Sequence, residues 1–371
     1  MNPITFRRYI HSYPELSFEE YQTALFIEGA LNEVGIEHRR VAKTGLLAKI
    51  EGRGDLKRAV VLRADIDALP VEEMSGVEFA SQNVGVMHAC GHDMHAAMLY
   101  GALCELNSSR DFEGTIFGVF QPGEECNPGG ASLVLAEDPF ADYDVVAVVG
   151  QHVDAGLDVG EVGFKTGKFM ASGDELRFKV QGVGGHAAMR EKLRDPVAAM
   201  AELVTSLLAL NHADRVLSIG RVEADGATNV IPYTVKLEGT LRTFDEGERA
   251  ATKEQIRQIA KIYEERHDLE IVVDINDGYP CVVNDESLTL EAAEVAAKKY
   301  SVEWLQRRAT AEDFGYYCTR YPSLFYRVGV GRDAGAPHTS TFCPSEGAIT
   351  VGIELMSSLA LTFLDYEKEE E

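Results

Sequence analysis

The chain has 371 residues, with 60 acidic against 35 basic side chains, a formal net charge of −25 and a pI near 4.8. A field of that sign repels phosphate and anionic headgroups, so nucleic acid and membrane surfaces are excluded as default partners. Hydrophobic content of 45% and aromatic content of 8% exclude wholesale disorder. At ~150 residues per domain the length predicts about two or three domains. No run of ~18 apolar residues stands out, so no membrane span is expected. The opening MNPITFRR lacks the apolar core of a secretion signal, and the six cysteines have no framework spacing. Both point to a reduced, cytoplasmic protein.

In chain order, the first predicted element is a helix opened by Ser17, with Glu20 as its capping-box partner and Phe18, Tyr21, Leu25 and Leu31 on its apolar face. Apolar runs at 45–50 and 59–62 read as strands, 95–106 as a helix, and 115–120 and 145–149 as strands. Buried-type runs such as VVAVV between helical patterns predict an α/β fold, a mixed sheet flanked by helices. From about residue 170 the rhythm changes to strand 175–180, helix 196–210, strands 215–222 and 234–243, helix 249–265 and strand 269–275. That order is the split βαβ of a ferredoxin-like α+β unit. A helix at 288–299, a strand at 324–330 and a final helix from Glu346 resume the first pattern. The predicted organisation is a catalytic domain of residues 1–169 and 281–371, interrupted by a smaller domain of residues 170–280.

Five stretches collect chemistry-bearing side chains: RADID at 63–67, MHACGHDMH at 87–95, QPGEE at 121–125, GQHV at 150–153 and Pro337-His338. Taken singly, each has an ordinary reading. His152 suits a hydrogen-bonded structural histidine, Cys90 a small buried hydrophobe, and Glu124-Glu125 a solvated turn. Together they supply a thiol, imidazoles and carboxylates beside the strand ends of one sheet, which is the ligand set of zinc-like divalent ions. Asp67 and Asp93 are candidates to orient ligand imidazoles, or simply a strand-end carboxylate and a helix cap.

The stretches HSYPELSFEE, VLRADIDALP, MHACGHDMHAAM, FQPGEE, GQHV, GVGGHAA, TNVIP, GTLRTF and AEDFGYY resemble the amidohydrolase branch of the co-catalytic metallopeptidase superfamily. That branch holds aminoacylases, hippurate hydrolases, N-acetyldiaminopimelate deacetylases and auxin-conjugate hydrolases. The resemblance implies Cys90, His92, Glu125, His152 and His338 as ligands of two divalent metal ions, zinc or manganese, with cobalt or nickel as substitutes. It implies Cys90 as a bridge, Glu125 and His338 on one ion, and His92 and His152 on the other. Glu124 becomes the general base and Asp67 a second catalytic carboxylate. The inserted domain becomes a dimerisation and lid domain whose His186 reaches the partner subunit's site. Asn229 and Arg242 would hold the substrate's carboxylate, as a guanidinium can do bidentately. On residues alone, His186 also reads as a turn histidine and Arg242 as a surface ion-pair member.

The implied activity is metal-dependent hydrolysis of the amide bond of N-acyl amino acids by a homodimer. The alternatives are a small-peptide exopeptidase of the same superfamily and a non-catalytic dimeric metal-binding relative. A cysteine hydrolase using Cys90 with His92 is disfavoured, because residues two apart in a tight turn rarely give nucleophile–base geometry. Three departures border the expected substrate side: Met189-Arg190-Glu191 after GGHAA, a short segment at 211–214, and Cys126-Asn127-Pro128 after the Glu pair. Substrate identity therefore does not transfer.

Overall fold

The computed structural model describes residues 1–365 and divides into two compact units. Among the described residues, the first comprises Met1–Gly167, Val283–Gln306 and residues 313–365; the second comprises Lys168–Val282 and Arg307–Glu312.

The first unit is built on an eight-stranded mixed sheet. Its spatial order is Glu37–Val41, Gly45–Glu51, Thr115–Gln121, Arg58–Asp65, Asp144–Asp154, Ser323–Gly329, Glu161–Phe164 and Ser301–Trp304. The four central strands run parallel, from Thr115–Gln121 to Ser323–Gly329, and antiparallel pairs flank them. These strands are apolar on both faces, because helices cover both sides of a parallel sheet. Val60, Leu62 and Ala64 share a core with the helices His92–Ser109 and Gly347–Asp365, while Ala59 and Val61 on the opposite face are equally buried. The two helices approach closely at Gly101 against Ile353 and at Gly352 against Met98, where a methyl group would collide.

Several elements went unread in the sequence, among them the helix Pro3–Ser12, capped by the Asn2 side chain, the helix Gly130–Ala136, and the sheet strands Glu37–Val41, Glu161–Phe164 and Ser301–Trp304. The expected capping box at Ser17 and Glu20 is corrected. The helix begins at Tyr21, its Glu20 cap makes no side-chain capping bond, and Ser17 instead donates to Asp67. Its buried face is Thr23, Ala24, Ile27, Ala30 and Leu31, with Tyr21 and Leu25 exposed. The expectation of no span-length apolar run also needs correction. Gly347–Asp365 is long and apolar enough to cross a membrane, but 67% of that window is buried inside the protein, where it serves as a core helix.

The second unit is a four-stranded antiparallel sheet in the order Arg215–Ala224, Thr234–Thr243, Asp174–Gln181 and Glu270–Asn276. The helices Pro196–Leu208 and Glu246–His267 start at Asp195 and Asp245, whose side chains accept the first-turn N–H groups. Leu203, Leu207, Ile256 and Ala260 bury against Leu176, Phe178, Val180 and Leu237, giving this unit its own core. A separate ribbon pairs Gly185–His186 with Val230–Ile231.

Candidate metal centre

The parallel register brings the carboxyl ends of the central strands into line, with Asp65 opposite Gln121 and Arg327 opposite His152. Such ends are where open α/β sheets place their sites. Asp65 and Asp67 leave one strand, Glu124 and Glu125 follow the next, and His152 closes a third. Cys90 and His92 flank Gly91, which sits at φ 91 against Val153, so only a glycine fits between them. His338 lies on a loop at φ 64, its backbone N–H donating to the Ala89 carbonyl at 2.8 Å.

These elements bring the five side chains together. The Cys90 Sγ lies 3.4 Å from His152 Nε2 and 3.3 Å from His338 Nε2. His338 Nε2 is 3.3 Å from Glu125 Oε1, which is 3.9 Å from His92 Nε2. Donor atoms of Cys90, His92 and His152 lie within 4.8 Å of one another, as do those of Cys90, Glu125 and His338, so the thiol belongs to both groups. Glu124 is buried in the same cluster, its Oε2 4.0 Å from His92 Nε2.

The imidazoles are oriented from behind. His92 Nδ1 donates to the Asp67 carbonyl at 2.9 Å and to its Oδ1 at 3.1 Å, and His152 Nδ1 donates to the Val153 carbonyl at 2.7 Å. Both Nε2 lone pairs therefore face the cluster. His92 Nε2 is buried with no hydrogen-bond partner, although Asp65, Glu124 and Glu125 oxygens lie 3.8–4.0 Å away. Such spacing suits ligands converging on a cation rather than bonding to each other.

Electrostatics agree with that fit. Burial pushes the Cys90 thiol up to about 12, so a thiolate there requires a positive charge beside it. Burial, reinforced by the Arg327 charge, holds His152 well below the usual imidazole range, hence neutral and able to coordinate. Burial opposes charging His92, but the neighbouring negative groups, Asp65 foremost, raise it well above the usual range, a negative field that a bound cation would satisfy in place of the Nε2 proton. Sulfur, imidazole and carboxylate donors together suit zinc-like divalent ions.

Some contributors were missed in the sequence. Asp65 accepts from His95 Nδ1 and Arg63 Nη1, each at 2.6 Å, and Arg63 Nη2 donates to Asp313 at 2.6 Å. His95 Nε2 accepts the Val153 N–H at 2.9 Å, so both its ring nitrogens are engaged in holding the site's frame. Arg63 and Asp65 lie in RADID and Asp313 in AEDFGYY, but nothing local says that these two stretches meet. Asp93 neither caps the helix nor orients a ligand imidazole: it accepts from Arg7 Nε at 2.8 Å and from His11 Nδ1 at 2.9 Å.

His186, Asn229 and Arg242 all belong to the second unit. The ribbon pairs His186 with Val230, and the Ala187 N–H donates to the Asn229 carbonyl at 2.9 Å, which makes His186 and Asn229 neighbours. Both are exposed. Arg242 is half-buried, and its Nη1 has no hydrogen-bond partner.

A model of peptidase family M20/M25/M40 matches residues 61–362. The chain belongs to that family. Membership of this peptidase family makes it a hydrolase of amide bonds. It is 36% identical over 375 residues to an N-acetyl-L-cysteine deacetylase of Bacillus subtilis (strain 168), covering 99% of this chain and 89% of the relative. It is 34% identical to an N-acetyldiaminopimelate deacetylase of Oceanobacillus iheyensis, covering 96% and 98% of the two chains. Among solved structures it is similar to a Bacillus subtilis protein described as a dinuclear metal binding peptidase from M20 family. The TM-score is 0.87 at 35% identity, with 98% of each chain covered.

Proposed function

We propose that this M20/M25/M40 chain removes the acyl group from N-acyl amino acids, acetyl first among them, by metal-dependent amide hydrolysis. The observation that carries the reading is the convergence of Cys90, His92, Glu125, His152 and His338 beside buried Glu124. Two divalent ions held by those five side chains supply Lewis acidity toward the amide carbonyl and acidify water. Zinc or manganese is the proposed metal, with cobalt or nickel able to replace it. Glu124 takes the proton of the attacking water and returns it to the departing amine. Asp67 keeps the Nε2 lone pair of His92 turned inward. Arg242, with its unpartnered Nη1, and Asn229 hold the substrate carboxylate.

The second unit is proposed as a ferredoxin-like dimerisation and lid domain, which its strand order supports. Its His186 is proposed to donate to the oxyanion in the partner subunit's site. The protein is proposed to act in the cytoplasm as a homodimer. The relatives' names nominate N-acetylcysteine and N-acetyldiaminopimelate as the first substrates to test.

The test is a deacylation panel of acetyl, benzoyl and longer-chain amino acids plus dipeptides, run beside elemental analysis of the purified protein. Release of free amino acid that chelator abolishes is expected. Turnover of dipeptides alone would shift the reading to an exopeptidase, and activity indifferent to chelator would overturn it. Mixing His186→Ala with Glu124→Ala subunits should restore part of the activity through hybrid dimers. No recovery despite subunit exchange would remove His186 from its proposed role.

A further inference from the structure

The turn that carries Glu124 and Glu125 is gripped by a segment far away in the chain. Gly123 sits at φ 60, packed so closely on the Phe18 ring that a Cβ there would collide. Phe18 is itself left-handed at φ 64, an unfavourable conformation for an aromatic residue. Beside both lies Glu20, 0% exposed. Its Oε1 accepts the N–H groups of Gly123 at 2.8 Å and Phe18 at 2.9 Å, and its Oε2 accepts the Thr44 hydroxyl at 2.6 Å. Three residues earlier, Ser17 donates at 2.7 Å to Asp67 Oδ2, the same oxygen that accepts the Glu125 N–H at 2.9 Å. Segment 17–20 thus touches both the backbone bearing the Glu pair and the carboxylate that holds His92.

A buried carboxylate is an expensive way to satisfy two backbone N–H groups. None of its three bonded donors is charged; Asp67 adds repulsion, and Lys43, which Glu20 attracts, is exposed. A carboxylate grips N–H donors roughly twice as strongly as a neutral acceptor, which is an advantage where the backbone must be held still.

We propose that Glu20 is a positioning residue: its carboxylate anchors the 122–125 turn at Gly123 and thereby fixes where Glu124 and Glu125 present their oxygens. The inference rests on the roles proposed above for those two residues. It carries a pH signature, because burial and the Asp67 charge push Glu20 up to about 7, while the Thr44 hydroxyl pulls it down. The grip tightens as Glu20 ionises and slackens as it is protonated.

The test combines zinc titration by calorimetry with kcat/KM profiles from pH 5.5 to 9 for the wild type, Glu20→Ala, Glu20→Gln and Thr44→Val. Glu20→Ala should weaken one of the two zinc ions by ~10–100-fold, the range seen when a group supporting a ligand is removed. Glu20→Gln should recover most of that affinity, since its amide oxygen still faces Gly123 and Phe18. The wild-type profile should contain a rise through about pH 7 that Glu20→Gln lacks and Thr44→Val moves to higher pH. Zinc isotherms of Glu20→Ala matching the wild type, or superimposable wild-type and Glu20→Gln profiles, would overturn the proposal. Zinc titration needs no turnover, so a chain that hydrolyses no N-acyl amino acid would sink the proposed function while leaving Glu20 to be judged by metal affinity. Should Glu20→Ala not fold, the Glu20→Gln and Thr44→Val profiles decide.

Discussion

At the scale of single residues, the site separates side chains that face the cluster from side chains that aim them. Glu124 and Glu125 are adjacent, yet Glu125 lies 3.3 Å from His338 and Glu124 lies 4.0 Å from His92. Glu124→Gln should lower kcat by ~10²–10⁴ while metal stoichiometry stays at the wild-type value. Elemental analysis beside steady-state kinetics measures both, and near-normal turnover would remove Glu124 as the base. Behind the cluster, Asp93 joins Arg7 and His11, and His11 Nε2 meets Glu73 at 3.1 Å. Burial works against charging His11, but Asp93 and Glu73 raise it to about 9. Its contribution is therefore complete below about pH 6.5 and lost as pH rises through 9. Asp93 and Glu73 lie below their usual values, so their contributions stand above about pH 4.5 and fade in acid. His11→Gln should abolish a loss of about 3 kcal/mol between pH 6.5 and 9 in urea unfolding curves. An unchanged slope would show that His11 is not charged in the folded protein.

At the scale of elements, periodicity located most strands and helices because burial on one or two faces is written in local sequence. The runs at 59–62 and 234–243 lie within or coincide with strands Arg58–Asp65 and Thr234–Thr243. It failed at residues 17–20, where an S-x-x-E pattern mimics a helix start. There the Ser17 hydroxyl bonds to Asp67, 50 residues away, and Glu20 to Gly123, 103 residues away. Long-range partners took the groups that a local cap would have used. The close crossing of His92–Ser109 with Gly347–Asp365 belongs to this scale too. Gly352→Ala should cost roughly 1–3 kcal/mol, because the methyl enters the space of Met98. Gly29→Ala, on an exposed helix position with nothing within 4 Å, should stabilise by roughly 0.5–1 kcal/mol. Equal effects in chemical denaturation would mean that the two helices leave room for a methyl group at their crossing.

For the whole molecule, the charge of −25 and the character of the centre have to be read apart. Overall acidity disfavours polyanions, whereas the centre concentrates negative groups that call for cations: Asp65, Glu124, Glu125 and a thiol that ionises only beside one. Stripping divalent ions with chelator should lower the melting temperature of the first unit. Ions present at 100 times their dissociation constant contribute about 2.7 kcal/mol. Calorimetry with and without chelator measures it, and an unmoved transition would argue that no ion binds the folded state.

The sequence by itself determined the sheet-and-helix architecture, the change of rhythm near residue 170 and the five stretches that carry thiol, imidazole and carboxylate groups. Those features depend on local periodicity and on motifs a few residues long. Only the tertiary structure decided that Cys90 stands within reach of both histidine partners and that Asp67, not Asp93, backs His92. It alone showed Arg63, Asp65 and Asp313 closing a buried frame beneath the site. The reason is physical: a ligand type is a property of one residue. Its aim is set by hydrogen bonds to groups dozens to hundreds of residues away, which no local pattern encodes.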